Sequence, residues 1–65
     1  MEILIKNIKK LMIEKEITQV KLAKIIGVNQ SYISMLLNGK YKDVYLSTLY
    51  KLSDALNVSI KELLN

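Results

Sequence analysis

Residues 18–40 read TQVKLAKIIGVNQSYISMLLNGK and contain both glycines of the chain, Gly27 and Gly39. Glycine readily adopts the left-handed backbone conformation that closes many helices, so the two glycines mark the ends of two successive short helices. Thr18 and Asn29 stand where these helices should begin, because their side-chain oxygens can accept a hydrogen bond from an unpaired backbone N–H. The stretch therefore predicts a helix, a tight turn and a second helix.

Three helix starts share one pattern, in which a capping residue follows one apolar residue and precedes another by four positions. This spacing predicts a hydrophobic staple, with the two apolar side chains packed across the start of the helix. Ser59 and Glu62 add the spacing of a capping box to the third start, and Asn57 is expected to close the preceding helix. The apolar pairs and their caps are Ile17 and Leu22 around Thr18, Val28 and Ile33 around Asn29, and Val58 and Leu63 around Ser59.

Elsewhere the apolar residues recur at intervals of three and four, and no run alternates with the period of a strand. The pattern predicts an all-α single domain spanning residues 1–65. We expect Asp43 or Ser47 to cap the fourth helix, and the two residues compete for that role. The five predicted helices lie near residues 2–15, 19–26, 30–37, 46–56 and 60–64.

The composition favours a small basic domain that relies on helix packing alone. The chain is 51% hydrophobic, lacks cysteine, and carries a formal net charge of +4 from ten lysines and six acids. A basic balance favours polyanionic partners, nucleic acid above all, although it is weak support by itself. No apolar run approaches the ~18 residues of a membrane span, and the first six residues make too short an apolar core for a signal peptide. We therefore expect a cytoplasmic protein.

The residues of an enzyme site are missing from the sequence. The chain has no histidine, no cysteine and no glycine loop suited to phosphate. No pair of carboxylates has an evident shared site, and no cluster has metal-ligand spacing. We expect no catalytic activity, no cofactor and no metal.

The helix over residues 30–37 has two distinct sides. At about 100° per residue, the polar residues and Met35 fall within an arc of roughly 140°, and the apolar residues with Tyr32 fill the opposite side. A purely solvated face would more often carry Lys and Glu, which form helices better. An uncharged face suits hydrogen bonding to base edges, although an exposed helix surface is the simpler alternative. The arc consists of Gln30, Ser31, Ser34, Met35 and Asn38.

With these features the chain resembles the Cro/C1-type (Xre-type, lambda-repressor-like) helix-turn-helix domains. The resemblance covers essentially the whole chain and implies a five-helix domain in which residues 19–26 cross the DNA backbone and residues 30–37 enter the major groove. The matching residues are Thr18-Gln19, Leu22-Ala23, Ile26-Gly27-Val28, Gln30-Ser31, Ile33-Ser34, Asn38-Gly39-Lys40, Leu49, Leu52, Ala55-Leu56, Val58 and Leu63-Leu64.

Taken with the polar arc and the lysines, the resemblance implies two sets of contacts with double-stranded DNA. We expect base contacts from Asn29, Gln30, Ser31, Ser34 and Met35. We expect phosphate contacts from Thr18, Gln19, Lys21, Lys24, Asn38, Lys40 and Lys42. The simpler alternative for Lys21 and Lys24 is an ordinary solvated charge, which is the role we expect for Lys6, Lys9 and Lys10.

The chain departs from the family in ways that affect recognition. All ten cations are lysine, so the commonest specific contact, a bidentate arginine on guanine, is unavailable. Gln30 could pair with adenine and Met35 could contact a thymine methyl group, which favours an A·T-rich operator. Lys21 stands where an acid commonly completes a capping box, and Leu37 replaces a residue that is often polar or charged.

Two further sets of side chains have competing interpretations. Stacking of the four tyrosines on single-stranded bases is possible in chemical terms, but core and rim packing fits their spacing better. The apolar residues Leu37, Val44, Tyr45 and Leu46 are either monomer core or a dimer contact.

The favoured function is a transcriptional regulator, specifically a repressor, that binds an inverted repeat as a homodimer. The alternative is a protein-interaction module of the same fold, such as an antitoxin or a regulator's antagonist.

Overall fold

Five α-helices and no strand make up the computed structural model, which describes all residues 1–65. The predicted all-α class is confirmed, as are the predicted bounds of the last four helices; the first ends one residue earlier than expected. With at most 13 residues, every helix is too short to cross a membrane. The helices are α1 (Glu2–Glu14), α2 (Gln19–Ile26), α3 (Gln30–Leu37), α4 (Leu46–Leu56) and α5 (Ile60–Leu64).

Each of the first four helices is followed, within two residues, by a residue in the left-handed conformation. Gly27, Gly39 and Asn57 have φ values of 76°, 74° and 56°, as the sequence predicted. The fourth such residue is Glu16, with φ 55°, which the sequence did not indicate. After α1 the backbone N–H of Ile17 donates to the carbonyl of Met12 at 2.8 Å, which satisfies a carbonyl that the helix leaves unpaired.

Two of the three predicted side-chain caps are present. The Thr18 hydroxyl oxygen accepts from the backbone N–H of Lys21 at 3.1 Å, and Ser59 forms a full capping box with Glu62. Asn29 makes no such bond, so its prediction as a side-chain cap is wrong. The reason is that the N–H it would accept, that of Tyr32, already donates to the backbone carbonyl of Asn29 at 3.0 Å.

The predicted cap of α4 is also wrong, because neither Asp43 nor Ser47 holds that position. The helix begins after Tyr45, and no side chain caps it. The backbone N–H groups of Thr48 and Leu49 both donate to the Tyr45 carbonyl at 3.0 Å. The N–H groups of the first turn of α4 are therefore satisfied by the backbone carbonyl of the residue that precedes the helix.

One hydrophobic core joins all five helices. The packing follows from the staples, since the second residue of each pair is fully buried and the first is half-buried against the core. Asn7 of α1 ties the chain's two ends together by donating to the Leu63 carbonyl at 2.8 Å. The buried apolar residues are Leu4, Ile8, Met12, Leu22, Ala23, Ile26, Ile33, Leu36, Leu37, Leu52, Leu56 and Leu63.

The structure divides the apolar residues whose role was left open. Leu37 is 5% exposed and belongs to the core, and Val44 is half-buried against it. Tyr45 and Leu46 are 83% and 60% exposed. Only these last two are therefore free to contact another molecule.

Candidate nucleic-acid interface

Helix α3 has an outward face, and its opposite side packs into the hydrophobic core. Its inner side consists of Ile33, Leu36 and Leu37, all buried against the other helices. Because these three side chains are held in a close-packed core, the orientation of α3 is fixed by the whole domain. An α-helix with its side chains is about 10–12 Å across, which fits the DNA major groove, about 12 Å wide.

The outward face of α3 has the exposure that its predicted role requires. Gln30, Ser31, Met35 and Asn38 are exposed, and Ser34 is half-buried. None of them is charged, so this face offers amide and hydroxyl groups and a thioether rather than ion pairs. Such groups can donate to and accept from base edges, or lie against a thymine methyl group.

Asn29 stands exposed at the start of this face. Since its side chain makes no capping bond, the amide is uncommitted within the domain. An amide with free donors and a free acceptor at the start of a recognition helix can contact a base or the backbone. The failure of the capping prediction therefore leaves the predicted DNA contact of Asn29 open.

Met35 is held in place by a contact that the sequence did not reveal. The Tyr41 hydroxyl lies 3.9 Å from the Met35 sulfur, and the Tyr41 ring packs on Tyr32 with the ring centroids 5.1 Å apart. The packing expected of the tyrosines is present for this pair, whereas Tyr45 and Tyr50 are mostly exposed. Tyr41 follows the helix and reaches back over it, a placement that depends on the Gly39 turn and has no signature in residue spacing.

The start of α2 supplies the first group of predicted phosphate contacts. The Thr18 hydroxyl accepts one bond from the backbone and keeps its own proton as a donor. Gln19, half-buried, is the first helical residue, at the end of a helix where the backbone dipole favours an anion. Lys21 and Lys24 are exposed on the same helix, but Lys24 lies in the last turn, where a cation also stabilises the helix end.

The end of α3 supplies the second group. Asn38 and Lys40 are exposed on either side of Gly39, and the backbone N–H of Lys40 donates to the Met35 carbonyl at 3.0 Å. This bond fixes the path of the chain as it leaves α3. Lys42 is placed differently, because it lines a groove with Met1 and other apolar residues at the start of α1.

The comparisons with known proteins agree with this geometry. No curated protein and no solved structure is significantly similar to the chain. A family model described as a Cro/C1-type HTH DNA-binding domain matches residues 7–65, which is nearly the whole chain. The match includes α2, α3 and the turn between them, so the chain belongs to the Cro/C1-type helix-turn-helix DNA-binding domain family.

Proposed function

We propose that this protein is a sequence-specific regulator of transcription that reads the major groove of double-stranded DNA with α3. The observation that carries the proposal is that α3 has an uncharged, exposed outer face and an inner side buried in the core, in a chain of a DNA-binding family. We assign it a repressor role, since occupying an operator is enough to exclude other proteins from it. We place the protein in the cytoplasm.

The base contacts in this proposal come from Asn29 to Met35. Gln30 is exposed in the first turn, and its amide can pair with the N6 and N7 atoms of adenine. Met35 is 43% exposed and can lie against a thymine methyl group. Ser31 and Ser34 add hydroxyl groups that tolerate several bases. With no arginine in the chain to read guanine, these contacts favour an A·T-rich half-site.

The phosphate contacts come from both ends of the two-helix unit. Thr18 and Gln19 would hold the backbone at the start of α2, and Asn38 and Lys40 at the end of α3. Lys21, Lys24 and Lys42 add positive charge around them. If each monomer neutralises about three to five phosphates, the logarithm of the affinity falls with a slope of roughly −3 to −4.5 against the logarithm of the salt concentration.

We further propose that two copies bind an inverted repeat through the surface around α4. Leu46 and Tyr50, one helical turn apart on α4, are 60% and 55% exposed, beside Tyr45 at 83%. A second copy burying this surface would remove its apolar area from water. The domain measures 25 × 25 × 20 Å, so two touching copies can reach half-sites whose centres lie ~34 Å apart.

The test is selection of bound duplexes from a random DNA pool, followed by sequencing. Recovery of an A·T-rich inverted repeat would support the base contacts and the two-fold assembly together. The chain's only two glutamines provide matched variants. Gln30→Ala should relax the preference at one position of each half-site, whereas Gln19→Ala should weaken binding to all sequences about equally.

Two other outcomes would overturn parts of the proposal. A half-site dominated by G·C pairs would contradict the assigned roles of Gln30 and Met35. No enriched sequence from a folded protein would contradict specific DNA reading altogether. The exposed Tyr45 and Leu46 would then favour the alternative function, a module that binds another protein.

A further inference from the structure

Two grooves lie on either side of Leu37, where α1 passes the helix-turn-helix unit formed by α2 and α3. The first runs between α1 and the start of α2, and Thr18 and Gln19 line it. The second runs between α1 and the end of α3, and Asn38 and Gly39 line it. Leu37, which is almost fully buried, lines both grooves, so the two grooves are neighbours.

Lys9 is the charged side chain that the two grooves share. It is exposed and belongs to α1, an element outside the helix-turn-helix unit. Because it lines both grooves, Lys9 lies between the two segments to which the proposed function assigns phosphate contacts. We propose that Lys9 contacts a backbone phosphate and extends the DNA interface onto α1; this inference rests on the proposed function.

The structure separates three lysines that look alike in the sequence. Lys9 lines both grooves beside the helix-turn-helix unit, and Lys6 lines the second groove only. Lys10, the next residue after Lys9, lines a groove with Lys61 and Glu62 of α5. Neighbouring residues on a helix are turned by about 100°, which is enough to send one lysine toward the DNA and the other away from it.

Lys9 offsets acidic residues in both grooves. The only other charged residue in the first groove is Glu16, whose carboxylate repels phosphate. The second groove holds Glu2 together with Lys6 and Lys9. Without Lys9 the first groove would therefore be acidic and the second neutral. Each DNA strand presents one phosphate every ~3.4 Å along the axis of the duplex, so either change would weaken the attraction to DNA.

The test compares Lys9→Gln with Lys10→Gln, which remove the same charge from adjacent exposed positions. Binding to a duplex with an enriched site, and to one with the site scrambled, is measured by fluorescence anisotropy over a range of salt concentrations. For Lys9→Gln we expect the slope against salt to fall by about 0.9, and affinity at 0.1 M salt to fall roughly five- to ten-fold on both duplexes. For Lys10→Gln we expect the wild-type slope.

The outcomes distinguish this inference from the proposed function. Equal slopes for the two variants, with the wild type still binding steeply, would overturn the role of Lys9 and leave the proposed function intact. A wild-type protein with almost no salt dependence would overturn the proposed function itself. Thermal unfolding of both variants, expected to match the wild type, shows that any change in slope comes from the contact and not from the fold.

Discussion

Replacing Glu16 by glycine is expected to stabilise the fold, because Glu16 holds a backbone conformation that favours glycine. It has φ 55° and is exposed, and it closes α1 in the conformation that Gly27 and Gly39 adopt after α2 and α3. The bonds of this turn are made by backbone atoms, such as the Ile17 N–H that donates to the Met12 carbonyl. Glycine at position 16 would keep those bonds and lose the strained Cβ.

The size of the effect follows from two opposing terms. Holding a residue with a Cβ in the left-handed region costs about 1–2 kcal/mol, which glycine at position 16 would avoid. The greater freedom of glycine in the unfolded chain offsets about 0.5–1 kcal/mol of this stabilisation. Glu16→Gly should therefore raise the free energy of unfolding by about 0.5–1 kcal/mol. In a domain of 65 residues this corresponds to a Tm higher by roughly 2–8 °C.

The matched control is Glu16→Ala, which removes the same carboxylate but keeps the Cβ. Thermal unfolding followed by circular dichroism should show the gain for Glu16→Gly and none for Glu16→Ala. Both variants should bind DNA more tightly than the wild type, because both remove an acid from the groove shared with Thr18 and Gln19. Equal melting temperatures for the two variants would refute the argument from strain.

Four other substitutions test the fold and the assembly. Thr18→Ala should lower the free energy of unfolding by about 1 kcal/mol in urea denaturation, whereas Asn29→Ala, which removes no capping bond, should leave it nearly unchanged and weaken DNA binding. Ile33→Ala, at a fully buried position under the recognition face, should cost about 2–5 kcal/mol, and a loss below 1 kcal/mol would contradict the packing. Leu46→Ser should abolish cooperative binding to an inverted repeat in gel-shift titrations while keeping the affinity for one half-site; unchanged cooperativity would place the dimer contact elsewhere.

The helices were predictable because their ends carry strong local signals. Gly27 and Gly39 are the only glycines, and both occupy left-handed positions. Thr18 and Ser59 cap as expected. The two capping errors have different causes: at α3 the Asn29 carbonyl accepts from the N–H that its side chain would have bound, whereas α4 begins after Tyr45 and not after either expected cap. Sequence indicates that a helix begins, but it does not decide which of two acceptors satisfies its first turn.

Features that depend on how helices meet could not be predicted from the sequence. The contact of Tyr41 with Met35 requires the chain to turn back over α3. The difference between Lys9 and Lys10 depends on which neighbour α1 packs against on each side. The left-handed conformation of Glu16 has no signal in its side chain, since glutamate is a good helix former. The exposed face of α3 was predictable because periodicity alone divides the helix into two sides.

The central claim is that the face of α3 and the segments beside it bind DNA, and amide chemical-shift mapping tests it most directly. Labelled protein is titrated with a duplex holding a single enriched half-site, so that the proposed dimer surface is not engaged. We expect the largest shift changes at Thr18–Gln19, at Asn29–Met35 and at Asn38–Lys40. Changes confined to Tyr45–Tyr50 and α5, with α3 unaffected, would contradict it.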